Sequence, residues 1–157
     1  DLDKNFGEKG QNGVAKSKLP YEYPNFIYNS NGEGIEVDAR GNIVIVGSYN
    51  NLFTGLNPVG PKGVVVSRFL PTGVLDKTFS ESKNGQVTTE LIDLNNVFIN
   101  TGSIRLDSSG KIIAFGIRDG TNGFELSDRV YFYLLRYTGD YEYLFRNKPL
   151  DVELISS

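Results

Sequence analysis

The stretch Gly34-Ile-Glu-Val-Asp-Ala-Arg-Gly-Asn-Ile-Val-Ile-Val-Gly47 decides the fold. Ile35 and Val37 alternate with Glu36 and Asp38, and a solid apolar run, Ile43 to Val46, comes after a tight turn at Ala39 to Asn42. Alternation at period two marks a strand with one buried face, whereas a helix repeats about every 3.6 residues. The stretch reads as a β-hairpin. Gly41 stands where a short hairpin loop needs positive φ, and Asp38 is placed to accept hydrogen bonds from the turn amides. Further along, Val64-Val-Val-Ser-Arg-Phe-Leu-Pro-Thr-Gly-Val-Leu75 reads as a second hairpin, with Pro71 presetting φ and Gly73 closing the turn.

Both hairpins recur. Leu2-Asp-Lys-Asn-Phe6 matches Leu75-Asp-Lys-Thr-Phe79, and Gly34 to Gly47 matches Ser103-Ile-Arg-Leu-Asp-Ser-Ser-Gly-Lys-Ile-Ile-Ala-Phe-Gly116. Val64 to Gly73 matches Phe132-Tyr-Leu-Leu-Arg-Tyr-Thr-Gly139 through Arg68 and Arg136. Such self-similarity is the mark of a stacked repeat architecture. A single repeat-built domain therefore spans 1–157, with copies at about 2–73 and 74–139 and the start of a third at 140–157, where Tyr141, Glu142 and Phe145 take the places of Leu75, Asp76 and Phe79.

These residues resemble the bacterial delta-60 repeat family, whose units read Leu-Asp-x-x-Phe-Gly, a variable stretch, an Asp-Gly-Lys-Ile hairpin and an Arg-Leu-x-x-x-Gly hairpin returning to Leu-Asp. Leu2, Asp3, Phe6 and Gly7 fit the opening; Asp107, Gly110, Lys111 and Ile112 fit the first hairpin; Arg68, Gly73, Leu75, Asp76 and Phe79 fit the second and its return. Ser80 departs from the pattern, as do Tyr141 and Glu142, and the loops are longer than the family's usual unit. The resemblance implies β-propeller-like blades of about four strands within a large exported bacterial protein. Propellers close with about four to eight blades, so two copies and a fragment make a partial propeller. Leu2 to Phe6 is expected to be the closing strand of a preceding unit, and unpaired edges are expected to be met by further repeats or by a second copy of the chain, in preference to pairing of Leu2 to Phe6 with the last copy inside the same chain.

Composition narrows the chemistry. The chain has 157 residues, 39% of them hydrophobic, enough for a sizeable core. It carries no His and no Cys, which removes imidazole and thiolate metal sites, cysteine nucleophiles, His-based triads and disulfides. Sixteen basic residues against nineteen acidic ones give a net charge of −3, with no basic block to hold nucleic acid. No apolar run approaches the roughly 18 to 20 residues that span a bilayer as a helix. With no Met, the chain is expected to be a processed product or an excerpt of a longer one.

Several groups remain as candidates. Asp1, Asp3 and Asn5 alternate like the start of a calcium loop, but Phe6 stands where such a loop needs Gly and Asn12 where it needs Glu. Asp119, Asn122, Glu125 and Asp128, in the stretch from Arg118 to Arg129, would suit a cation or a polyol, and suit a solvated loop better. Tyr21, Tyr23, Phe26 and Tyr28, in the irregular segment Leu19 to Asn31, would stack on sugar or pack as an edge strand, and packing is favoured. Ser48 to Lys62 reads as an exposed loop. Arg68 with Asp76, and Arg136 with Glu142, read as a bridge repeated once per unit, and repetition favours a structural device over catalysis.

The expectation is an all-β protein of tandem four-stranded antiparallel units. Its inward-facing residues should include Ile35, Val37, Ile43, Ile45, Val64, Val66, Ile104, Leu106, Ile112, Ala114, Tyr133 and Leu135. No catalytic residue, no cofactor and no metal is assigned, calcium being the one cation weighed. The function expected is a non-catalytic binding or structural module, extracytoplasmic, with protein or glycan as surface partner. The competing class is a glycan hydrolase working through paired carboxylates.

Overall fold

The computed structural model describes residues 1–9, 11–19, 27–52, 62–91, 98–119 and 130–137. Among them the chain is all-β: β1 (Ile27–Val37), β2 (Ile43–Leu52), β3 (Gly63–Phe69), β4 (Gln86–Glu90), β5 (Phe98–Leu106), β6 (Ile112–Asp119) and β7 (Val130–Tyr137), with no helix. Two antiparallel sheets result, ordered β1-β2-β3-β4 and β5-β6-β7. A fourth strand for the second sheet would fall in 138–157, outside the described residues, as does the third copy expected there.

The hairpin turns obey their local chemistry. Asp38 Oδ1 accepts from the amides of Arg40 (2.8 Å) and Asn42 (2.9 Å), and Gly41 takes φ 83°. Asp107 repeats the device with the amides of Ser109 (2.8 Å) and Lys111 (2.9 Å), and Gly110 takes φ 78°. The second hairpin differs from expectation. Gly73 does turn at φ 78°, but the returning chain makes only one bridge, Leu75 to Phe69; the strand that pairs with β3 is β4, ten and more residues later. Asp76 explains the delay: its carboxylate accepts from the amide and hydroxyl of Thr78, which curls the chain into a turn. Leu2 to Phe6 likewise forms a turn and not a strand, with Asp3 accepting from the amide of Asn5 (3.0 Å), and Gly7 donates to the carbonyl of Thr72 (2.8 Å).

The two sheets pack face to face over a core of Val44, Val46, Val64, Val66 and Phe79 from the first and Ile104, Ile112, Ala114, Tyr133, Leu135 and Tyr137 from the second. Val64, Val66, Ile104, Ile112, Ala114, Tyr133 and Leu135 are inward as expected, and Leu106 packs partly buried against them. The first hairpin corrects the expectation. Ile35 is 64% exposed and Val37 58%, Ile43 and Ile45 are half-buried, and Val44 and Val46 fill the core instead. Because Ile43 to Val46 is apolar on both faces, alternation there does not say which face is buried. Close approach decides it: a Cβ on Gly34 would lie 2.8 Å from Cγ2 of Ile104, so β5 packs against the bare backbone of β1 on the face opposite Ile35.

Positions that match in the sequence repeat therefore lie on opposite faces relative to the shared core. Val46, Val64 and Val66 are buried, yet their counterparts Phe115, Phe132 and Leu134 are exposed. Ile35 is exposed, yet its counterpart Ile104 is buried.

Two further corrections concern loops. β2 continues through Ser48 and Tyr49, both fully buried, and ends at Leu52, so the strand takes up the first part of the loop expected from Ser48 to Lys62. β1 begins at Ile27, which places Tyr28 on an edge strand; Tyr21, Tyr23 and Phe26 lie outside the described residues.

Candidate functional site

Strand pairing collects the long connections at one end of the sheets. Ile27 pairs with Leu52, Tyr49 with Gly63 and Gly63 with Glu90, so β1 starts, β2 ends, β3 starts and β4 ends there. Phe98, Asp119 and Val130 form the same row in the second sheet. β5 runs alongside β1 in the same direction, since Ile104 packs at Gly34 and Arg105 Nη1 donates to Glu36 Oε1 at 2.7 Å. The described strands thus start or finish here at Ile27, Leu52, Gly63, Glu90, Phe98, Asp119 and Val130, and the tight turns at Asp38 and Asp107 lie at the other end. Of the aromatic and acidic segments singled out by sequence, the backbone of Tyr28 and that of Asp119 lie toward this end. Asn122, Glu125 and Asp128 lie outside the described residues, and Asp119 is placed there by its backbone.

Near the middle of the strands, between the sheets, lies a polar group that sequence reasoning missed. Glu33 sits at a bulge in β1 between Gly32 and Gly34, and Thr101 sits at the matching bulge in β5 before Ser103. Ser48 Oγ donates to Glu33 Oε1 at 3.0 Å, and Thr101 Oγ1 and Tyr133 Oη are hydrogen-bonded at 2.9 Å. Gly116, paired with both Thr101 and Tyr133, has no side chain to block the tyrosine from crossing β6. Burial raises the Glu33 pKa, and the hydrogen bonds from Ser48 and Thr101 offset only part of that. Burial likewise pushes the Tyr133 hydroxyl up to about 12. The signal available in sequence was a Glu flanked on both sides by glycine, Gly32-Glu33-Gly34, a combination that marks a bulge.

Chemically this group can hold a proton, but it presents one carboxyl among hydroxyls. Glycoside hydrolysis needs two carboxyls about 5 to 9.5 Å apart. Oε2 of Glu33 is buried and without a hydrogen-bond partner among the described residues.

The other candidates resolve into structure. Arg68 Nε donates to Asp76 Oδ2 at 2.8 Å with both side chains nearly buried, and its guanidinium lies 4.6 Å over the ring of Phe79. Burial alone would raise the Asp76 pKa, but the bonds from Thr78 and the Arg68 charge outweigh it and hold the carboxyl below its ordinary value. Arg136 is exposed, and Glu142 lies outside the described residues. Asp3 spends an oxygen on its own turn, as Asp76 does, and the described residues contain no cluster of three or more acidic groups suited to a metal. No helix among them is long and apolar enough to cross a membrane. Comparison with family models, with curated proteins and with solved structures finds no match.

Proposed function

We propose that the chain is a non-catalytic module of stacked, propeller-like β-sheet units, part of a larger exported bacterial repeat protein, which meets its ligand at the end where β1, β3, β5 and β7 start and β2, β4 and β6 finish. The observation that carries this reading is the opposite-face packing of matching positions. A sandwich of two like sheets related by a two-fold axis buries the same face of each. Here the face of the first sheet that carries Val46, Val64 and Val66 receives the face of the second that carries Ile104, Ile112 and Ala114, which is the front-to-back order of propeller blades and solenoids. Export and bacterial origin rest on the resemblance of the Leu2–Gly7, Asp107–Ile112 and Arg68–Phe79 stretches alone.

A binding role is favoured over hydrolysis because the carboxylates brought together by the fold are already committed. Asp38, Asp76 and Asp107 hold turns, and among the described residues Glu33 stands beside hydroxyls and not beside a second acid. The test is a polysaccharide panel read two ways, by reducing-sugar release and by retention on a glycan array. Retention without release is the expected result, and turnover of any polysaccharide overturns the non-catalytic reading.

A further inference from the structure

We propose that the chain associates head to tail with a second copy of itself, the Phe115–Phe132–Leu134 face of one copy docking on the Ile35–Val37 face of the next. The proposal rests on the stacked-unit reading and adds the occupant of its open faces. Both faces are apolar and, among the described residues, uncovered: Ile35 is 64% exposed, Phe132 51% and Leu134 48%, and the rings of Phe115 and Phe132 stack with centroids 5.7 Å apart to form a flat platform. An uncovered apolar sheet face of this kind is a contact surface.

The interface already present indicates what covers it. In the chain, Val46, Val64 and Val66 receive Ile104, Ile112 and Ala114. Phe115, Phe132 and Leu134 are the sequence counterparts of that first set, and Ile35, Ile43 and Ile45 are the counterparts of the second. The surface shaped to meet one open face is therefore the other open face, and two copies bring them together. A further unit joined in the same chain would use the same contact that a second copy makes between separate chains.

Charge supports the same polarity. The pair that bridges the two sheets, Arg105 Nη1 to Glu36 Oε1 at 2.7 Å, joins residues that are themselves counterparts in the repeat. Repeating the interface places Arg105 of one copy beside Glu36 of the next, opposite signs again, and the side chain of Arg105 is 76% exposed with N–H donors to spare. A symmetric contact through two Phe132 faces would instead bring together Arg105 and Arg136 from both copies. Head-to-tail contacts are heterologous, so they extend into a ring or a filament.

The test is sedimentation velocity from about 1 to 100 µM, with Phe132→Asp and Ile35→Asp as probes at exposed positions. The native chain should sediment above its 17.4 kDa monomer mass as concentration rises. Each variant alone should associate at least about tenfold more weakly, with its far-ultraviolet dichroism unchanged. An equimolar mixture should form a one-to-one pair and stop, because each variant keeps the face that the other has lost. A native chain that stays monomeric, an assembly that survives Ile35→Asp, or a mixture that does not pair overturns the proposal. None of these outcomes bears on turnover, so the non-catalytic reading stands or falls separately on the polysaccharide panel.

Discussion

Replacing Phe79 tests whether the contact between the sheets holds the molecule together. Phe79 is fully buried in the shared core and carries the Arg68 guanidinium on its ring at 4.6 Å, while its sequence counterpart Phe6 is half-buried against the turn at Gly73. Truncating a buried Phe to Ala costs about 3 to 5 kcal/mol, and the lost cation–π contact adds roughly 1. Set against a total stability of about 5 to 15 kcal/mol for a domain, Phe79→Ala takes the chain close to unfolding, so Phe79→Leu, at roughly 1 to 2 kcal/mol, is the measurable variant. Phe6→Leu, with less area to lose, should cost under about half as much. The assay is urea unfolding at low protein concentration, monitored by tyrosine fluorescence, since the chain has nine Tyr and no Trp and buried Tyr133 and Tyr137 report on the core. Equal or larger destabilisation by Phe6→Leu would refute the reasoning, because it would place the dominant packing at the N-terminal turn and not between the sheets.

Asp76→Ala removes the carboxylate that accepts from the nearly buried Arg68 Nε and should cost about 3 kcal/mol in the same urea assay, while Arg68→Met combined with Asp76→Ala should recover part of it. Asp38 and Asp76 have folded pKa values held below their unfolded ones, so their stabilisation is present above the unfolded value and is lost as pH falls through about 4 and lower; Asp76→Asn should flatten that acid limb of a pH titration of the unfolding midpoint. Glu33 has the opposite sign: its folded pKa is raised, so stability declines as pH climbs from the unfolded value to the folded one, and Glu33→Gln should remove that decline, a result contradicted by a profile that is unchanged above the ordinary Glu value. Gly110→Ala meets nothing within 4 Å and so isolates the cost of φ 78°, about 1 kcal/mol, whereas Gly41→Ala also presses its Cβ to 3.3 Å from Cγ of Pro71 and should cost more in thermal unfolding.

What was legible in the sequence, and what was not, divides along the range of the forces involved. The turns at Asp38 and Asp107 were readable because a carboxylate bonding its own loop amides and a glycine at positive φ are decided within five residues. The Arg68 to Asp76 bridge was readable because the repeat set both residues at fixed places beside one turn. β4 was not, because Gln86 to Glu90 is short and its pairing with β3 depends on how Asp76 and Thr78 divert the intervening chain. The burial of Val44 and Val46 in place of Ile43 and Ile45 was beyond a pattern apolar on both faces, and was settled by Ile104 pressing on Gly34 from another sheet. Glu33 was missed for the same reason: its partner Ser48 lies in the adjoining strand, and Thr101 belongs to the second sheet. The apparent error at Ile35 is itself informative. The repeat assigns Ile35 and Ile104 the same role, and in front-to-back stacking that role is to face the preceding sheet. Among the described residues Ile104 has a sheet packed against it and is buried, whereas Ile35 has none and is exposed, and this difference is why the proposed second copy is placed on the Ile35 face.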